Sequence, residues 1–430
     1  MTTNLILPGD AGYDTHRAAL VPTVDSHPAM IVNALTPADV ALAVTTARDL
    51  DLPFAVQATG HGTWQSCDHG VLLKTGNLDD VQVDPHRRVA KVGPGARWGA
   101  VLSAAARHGL APLSGSSPDV GVVGYTLGGG MGWLSRRYGF AADSVLRAEV
   151  VTADGRTLTA SATEHPDLFW ALRGGGGNFG VVTSLEFRLY PVARVFTGTA
   201  TFALDDAFEV LDRYRRWAAG APDTVSTVAL LNGDGVVIKA MSTDVTAVAL
   251  RPLWRDAARV ETQVIPYAQA RMGGVPARHQ DFFRSLGDRD IATAIAAHEE
   301  NGTTVEIRHW GGAISSTTGG PAGHRDAPFS ITLENPGNHL PTGIGATFYN
   351  FLRDPDRVDS AFTPANLNRL RRIKRAYDPS NFFHVNHNIA PATDDSTPMD
   401  ARPRTGRTRD SSTLVIIRPK GGTRPLPKSR

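Results

Sequence analysis

Clustered glycine constrains this chain more than any other feature. Of its 43 glycines, runs fall at Gly128–Gly132 (broken by Met131), Gly174–Gly177 and Gly311–Gly312. Without a side chain, such runs let backbone approach another group closely, and scattered turns explain them poorly. Gly175-x-Gly177-x-x-Gly180 matches the dinucleotide fingerprint letter for letter. That fingerprint works only between a preceding strand and a following helix, whose N-terminus faces a pyrophosphate. Here a helix-like stretch, Leu168 to Leu172, precedes it and a strand-like stretch, Val181 to Leu189, follows. An ordinary nicotinamide site is therefore not expected. No Lys-Ser/Thr pair directly follows a glycine run, so a P-loop is excluded. Gly121–Gly132 and Gly93-Pro94-Gly95 can still aim backbone N–H groups at phosphate oxygens from turns. The competing reading of each run is close packing of strands and turns.

The remaining pattern is α+β. Thr36 and Pro37 open a helix, and Arg97 to His108 form another that Gly109 closes. Phe54–Ala58, Val71–Leu73, Val89–Val92, Val145–Thr152 and Val181–Tyr190 read as strands, with Asp154-Gly155 turning a hairpin into Thr157–Thr159. Pro166 to Leu172 is expected to be helical. From Val195 to Ile344 strands (195–203, 225–231, 236–241) alternate with amphipathic helices expected over Asp205–Ala219 and Val245–Val260. That alternation implies an antiparallel sheet with helices on one face. Ala346–Ile389 is expected to hold a strand and a helix from Pro364 to Ala376.

Composition bounds the function classes. The chain has 430 residues, 41% of them apolar, and a net charge of +2. That balance argues against a dominant nucleic-acid surface. The positive charge gathers past residue 400, in a Pro- and Arg-rich segment (391–430) expected to be a disordered basic tail. The single cysteine, Cys67, excludes an internal disulfide and reads as a buried small hydrophobe. No spacing of Cys67, His61, His69, His384 and His387 completes a metal-ligand set. The N-terminus lacks the pattern of a signal peptide, and no stretch approaches the ~20 apolar residues of a membrane span. A cytoplasmic monomer or homodimer acting on a small molecule, without nucleic acid or membrane, is the expectation.

An ordered series of motifs then resembles a known family. It runs from Leu7–Tyr13 through Thr59-Gly60-His61-Gly62, Val92–Gly95 and Gly121–Gly132 to Arg137–Asp143. Phe169–Gly180, Gly311–Ala313, His324–Ala327, Tyr349–Phe351 and Tyr377-Asp378-Pro379-x-Asn381-x-Phe383 complete it. The series resembles the berberine-bridge-enzyme-like FAD-linked oxidases, within the vanillyl-alcohol-oxidase and para-cresol-methylhydroxylase superfamily, over residues 7–390. The resemblance implies a two-part FAD-binding domain of the para-cresol-methylhydroxylase type (1–192 with 345–390) and an antiparallel-sheet substrate domain (193–344) roofing the flavin.

The resemblance also implies a covalent flavin on His61, and a neutral imidazole is a suitable nucleophile toward an electrophilic carbon. Many members of the family carry a second link through a cysteine. Ser117 stands at that position here, so a single link is expected. The implied cofactor contacts are Thr59, Gly60, Gly62, Thr63, Ser117, Pro118, Gly121, Gly124, Tyr125, Gly128, Gly129, Gly130, Gly132, Gly177, Asn178, Gly180, Val181, Asn350, Asn386 and Asn388. Asn350 and Asn386 would hold the flavin through amide hydrogen bonds; capping of backbone is their other reading. Base candidates are Tyr138 and Tyr349, then Glu306 and His309. Relatives often carry a tyrosine two residues before the final asparagine, where Phe348 stands. On a strand that one-residue offset reverses the face, so Tyr349 points either into the site or into the core. A tyrosine base also needs its pKa lowered by a cation, for which Arg308 is a source. The implied reaction is oxidation of an alcohol, amine or natural-product intermediate by hydride transfer to flavin N5, with O2 reduced to H2O2. The alternatives are a dehydrogenase with another acceptor and a flavin protein catalysing a non-redox rearrangement.

Overall fold

The computed structural model describes residues 5–316 and 319–393; the basic tail expected from 391 onward lies, beyond 393, outside them. The fold is α+β, built on three sheets. The first holds Leu5–Ile6 (β1), Met30–Asn33 (β2), Phe54–Gln57 (β3) and Val71–Lys74 (β4) in the order β1-β2-β4-β3. Its three longer strands are parallel, and the helix Pro37–Asp49 connects β2 to β3. Thr36 caps that helix through the Asp39 N–H, and Asp39 reciprocates on the Thr36 N–H. The second sheet is antiparallel: Val81–Asp84 (β5), Val89–Val92 (β6), Val145–Val151 (β7), Thr157–Ser161 (β8) and Val181–Arg188 (β9), ordered β5-β6-β9-β7-β8. The glycine turn 174–180 thus leads from the helix Pro166–Leu172 into β9, the order that argues against a nicotinamide fingerprint.

The third sheet is antiparallel and seven-stranded. It holds Arg194–Phe202 (β10), Val225–Asn232 (β11), Gly235–Ser242 (β12), Arg259–Pro266 (β13), His279–Phe283 (β14), Val305–His309 (β15) and Phe329–Leu333 (β16), ordered β13-β10-β12-β11-β15-β16-β14. Alternation gives each strand two faces. Ala229, Leu231, Ile238, Ile307 and Ile331 pack with the helices Ala207–Ala218 and Asp288–Asn301. Val228, Leu230, Val237 and Phe282 join the core of the glycine-rich half. One face carries helices, as expected, and the other closes on the glycine turns.

Two expected elements are absent. Val245–Val260 is not an α-helix: a 3-10 helix covers Val248–Trp254, and β13 follows. Pro252 has no N–H to give and its ring clashes with the preceding turn, whereas Val260, Val264 and Ile265 suit pairing with β10. No strand forms around Tyr349; Tyr349–Phe351 is a short 3-10 turn. Local backbone finds other partners there, since Phe348 N–H donates to the Gln280 side chain at 2.8 Å and Phe282 N–H to Ala346 C=O at 3.1 Å. The helix Asp288–Asn301 went unread in the sequence.

The C-terminal segment returns to the first sheet. After the helix Pro364–Tyr377, Phe382 stacks on Phe54 of β3 at 5.1 Å. The return is anchored by Lys374 and Asp378, whose side chains are 0% exposed and 2.6 Å apart. Lys374 also donates to the carbonyls of Asn178 (2.8 Å) and Phe383 (2.9 Å). Asp378 accepts from the N–H groups of Phe382 and Phe383 at 2.7 and 2.9 Å. Removing one partner of a buried pair strands the other charge. Asp378→Asn should therefore lower unfolding free energy by about 3–5 kcal/mol, read from the urea midpoint; a change within error would show that the pair is not the anchor.

Candidate active site

A cavity of about 490 Å³ lies where the three sheets and the returning segment converge. That is within the roughly 300–1,000 Å³ common for small-molecule sites. Its walls come from Gln57–Trp64 after β3, Gly115–Leu127, Gly176–Val182, Glu306 and Arg308 of β15, Tyr349–Phe351 and Phe383–His387.

The loop bearing His61 is bent by Gly60, at φ +78°. A Cβ at that position would lie 2.8 Å from Ala19 Cα, so glycine is required twice over. His61 Nδ1 is 3.0 Å from Thr59 Oγ1. Burial lowers the His61 pKa, with Asp119 opposing and Arg97 reinforcing the shift, which favours the neutral imidazole. Asn386 clasps this loop: its Oδ1 accepts from Trp64 N–H and its Nδ2 donates to Gly62 C=O, both at 3.1 Å.

The opposite contacts are equally specific. Asn350 Oδ1 accepts from Gly130 N–H (2.9 Å), and Nδ2 donates to Tyr125 C=O (3.0 Å). Asn178 donates to Gly175 and His387 carbonyls and accepts from Ile389 N–H. Three polar atoms of lining residues are sealed from solvent without a protein partner among the described residues: Thr75 Oγ1, Tyr125 Oη and His387 Nδ1. Such buried atoms normally have partners. A Cβ at Gly124 or Gly177 would meet nothing within 4 Å, so both present bare backbone to open space.

Comparison with known proteins bears on what fills this space. An FAD binding domain matches residues 28–161, and the "Berberine and berberine like" domain matches 339–390. The chain is 29% identical to (R)-6-hydroxynicotine oxidase of Paenarthrobacter nicotinovorans, over 90% of this chain and 96% of that one. The crystal structure of 6-hydroxy-D-nicotine oxidase from Arthrobacter nicotinovorans superposes with a TM-score of 0.77 at 25% identity, covering 90% and 98% of the two chains. The chain thus carries the FAD-binding and berberine-like domains, and its relatives are FAD-linked oxidoreductases. Glucooligosaccharide oxidase from Acremonium strictum, which carries a 6-S-cysteinyl, 8α-N1-histidyl FAD, shares the fold at 21% identity and a TM-score of 0.75, over 90% and 97% of the chains.

Within this family frame, the cavity brings together His61, Thr59, Gly60, Gly62, Thr63, Ser117, Gly121, Gly124, Tyr125, Gly177, Asn178, Gly180, Val181, Asn350 and Asn386. Gly128, Gly129, Gly130 and Gly132 do not line it. They are packing glycines: a Cβ would strike Asn350 at Gly128, Phe348 at Gly129, Tyr125 at Gly130 and the Ser114 carbonyl at Gly132. Pro118 faces the helix Trp98–Ala106, accepting from Gly99 N–H at 2.8 Å. Asn388 also lies off the lining. Both amide ends of Asn350 and Asn386 are spent on backbone.

The base candidates separate. Tyr138 is outside the cavity, stacked on Tyr190 at 4.1 Å with the Arg137 guanidinium over its ring. His309 projects from the helix face of β15, stacked on Phe329 and near Trp217. Tyr349 lines the cavity, but burial pushes its pKa up against a hydrogen bond from the Asn178 side chain. Arg308 acts on Tyr125 instead, where burial outweighs its lowering field. Neither tyrosine is primed to take a proton. Lining residues that sequence reasoning missed include Gln57, Thr75, Met131, Val275, Thr332 and His387. Met131, inside the glycine run, and His387, between Asn386 and Asn388, sat beside a signal.

Burial lowers the His387 pKa to about 4, opposed by the hydrogen bond that its Nε2–H donates to Leu352 C=O. Between the ordinary value near 6.5 and about 4, the unfolded chain binds the proton and the folded chain does not. Stability contributed by neutral His387 is therefore present above that window and lost as pH falls through it. From pH 7 to 4.5 the loss should be roughly 2–3 kcal/mol larger in the native chain than in His387→Asn, measured by urea midpoints at both pH values. Gly124→Leu should leave the unfolding free energy unchanged or raised by under about 1 kcal/mol, yet lower the flavin content of the purified protein. Loss of both together would mean that Gly124 packs rather than lines.

Proposed function

We propose that the chain is an FAD-dependent oxidase of a small organic substrate, with the cofactor joined to His61. The observation that carries this reading is a half-buried imidazole, its pKa lowered by burial, on a glycine-bent loop of the matched FAD-binding segment and lining the cavity. A neutral ring keeps the lone pair that forms the bond. Ser117 lines the same cavity and offers no thiolate, which supports one covalent link rather than two. The single cysteine does not substitute: Cys67 is buried, with its thiol pushed up to about 12 by desolvation.

Residues 1–192 with 345–390 would hold the cofactor, and the sheet of 193–344 would present the substrate. Bare backbone at Gly124 and Gly177 and the unpartnered Tyr125, Thr75 and His387 atoms fit a large polar cofactor. Bound FAD would supply the two-electron acceptor, taking a hydride at N5 and passing the electrons to O2 as H2O2. Asn350 and Asn386 act by holding the walls, and Tyr349 acts as a positioning residue through Asn178. Arg308 and Glu306 approach from the sheet.

Yellow colour should survive acid precipitation of the native protein, and the proteolytic peptide containing His61 should carry the flavin mass. His61→Ala should bind flavin that acid releases completely. Peroxide should appear in proportion to substrate consumed. A native His61 peptide without added mass would sink the covalent assignment; substrate oxidation without peroxide would favour a dehydrogenase.

A further inference from the structure

The sheet wall of the cavity carries one ion pair whose hydrogen bonding is incomplete. Glu306 and Arg308 are two apart on β15 and share its cavity face, with side chains 5% and 4% exposed. Arg308 Nε and Nη2 both donate to one oxygen, Glu306 Oε1, at 2.8 and 2.7 Å. Arg308 Nη1 reaches only the thioethers of Met131 (3.2 Å) and Met272 (3.1 Å). Sulfur is a weak acceptor, and a buried guanidinium left on it is costly. Glu306 Oε2 makes no hydrogen bond to protein among the described residues. The pair thus lines the cavity with a donor held only by sulfur and an acceptor without a protein partner among the described residues.

The charge balance narrows the ligand. Among the described lining residues, Arg308 is the sole Lys or Arg and Glu306 the sole Asp or Glu. The pair is already neutral, so a substrate carboxylate would bring a second anion to one guanidinium, in a site where little water screens it. A neutral group carrying an acceptor next to a donor completes both partners without adding charge. Met131, Val275, Ala277 and Phe351 supply apolar surface around it.

We propose that Arg308 and Glu306 form the substrate-recognition pair of this cavity, selecting a neutral amide-type group attached to an apolar body and rejecting the corresponding carboxylate. The proposal rests on the reading of this cavity as the oxidase site and names the substrate class it takes.

The probes are benzamide and benzoate, titrated by calorimetry into the holoprotein, with flavin content read from absorbance of the same preparation. Benzamide should bind at least tenfold more tightly than benzoate. Glu306→Gln should reverse that order, because the guanidinium is then free to pair with the carboxylate. The double variant Glu306→Leu/Arg308→Met removes both charges at once and should fold with the native flavin spectrum and no preference. Benzoate binding as tightly as benzamide to the native protein, benzamide failing to bind, or a ratio unmoved in both variants would overturn the proposal. Colourless protein with the preference intact would instead remove the oxidase reading and leave the recognition pair standing.

Discussion

The cavity depends on a single buried ammonium. Lys374 gathers the Asp378 carboxylate, the Asn178 carbonyl from the glycine turn and the Phe383 carbonyl from the returning chain. Nothing else among the described contacts joins those three segments at one point. Because the group is fully buried, its three donors have no water to fall back on, so the geometry is held by the cost of leaving them unmet. With the return anchored, Asn386 reaches the His61 loop and Asn178 receives Ile389. The walls of the site are therefore consequences of a contact that touches neither cofactor nor substrate.

Other buried charges work in the same way. Arg325 pairs with Asp143 through two bonds of 2.8 and 2.9 Å, fastening the 319–327 segment under the glycine turns. Arg136 lies buried between the glycine-rich half and the large sheet, donating to the carbonyls of Val225 and Ala221. Several motifs that make the chain look like an FAD-linked oxidase are thus architectural. Asp143, Arg325 and Asp378 hold backbone. By contrast His61, Arg308 and Glu306 face the cavity with chemistry still available.

The glycine runs divide along the same line. Gly124 and Gly177 face open space, and their value is an absent side chain. Gly128 to Gly132 are filled sites, where Asn350, Phe348, Tyr125 and a carbonyl occupy the volume a Cβ would need. Both kinds look alike in a sequence, because clustered glycine reports only that something comes close, not whether it is protein or ligand. Tyr349 shows the same limit. A strand there would have set its face by alternation, but the segment is a 3-10 turn, so the period-two argument had nothing to act on.

What the sequence determined by itself is local or carried by an ordered set of motifs. It specified the capped helix after Thr36, the hairpin at Asp154-Gly155, the strand after the fingerprint glycines, the FAD-linked class and the loop that bears His61. The helix, the hairpin and the strand follow from capping, turn chemistry and periodicity within a few residues, whereas the FAD-linked class and the role of the His61 loop follow from the resemblance that the ordered motifs carry. Tertiary structure alone decided that Tyr138 stacks on Tyr190 away from the cavity, that β13 pairs with β10, and that Arg308 meets Met131 and Met272 across the site. Each of those outcomes joins residues up to 177 positions apart. A long-range contact is selected by what the whole chain can bury and pair, so no window of neighbouring residues contains it.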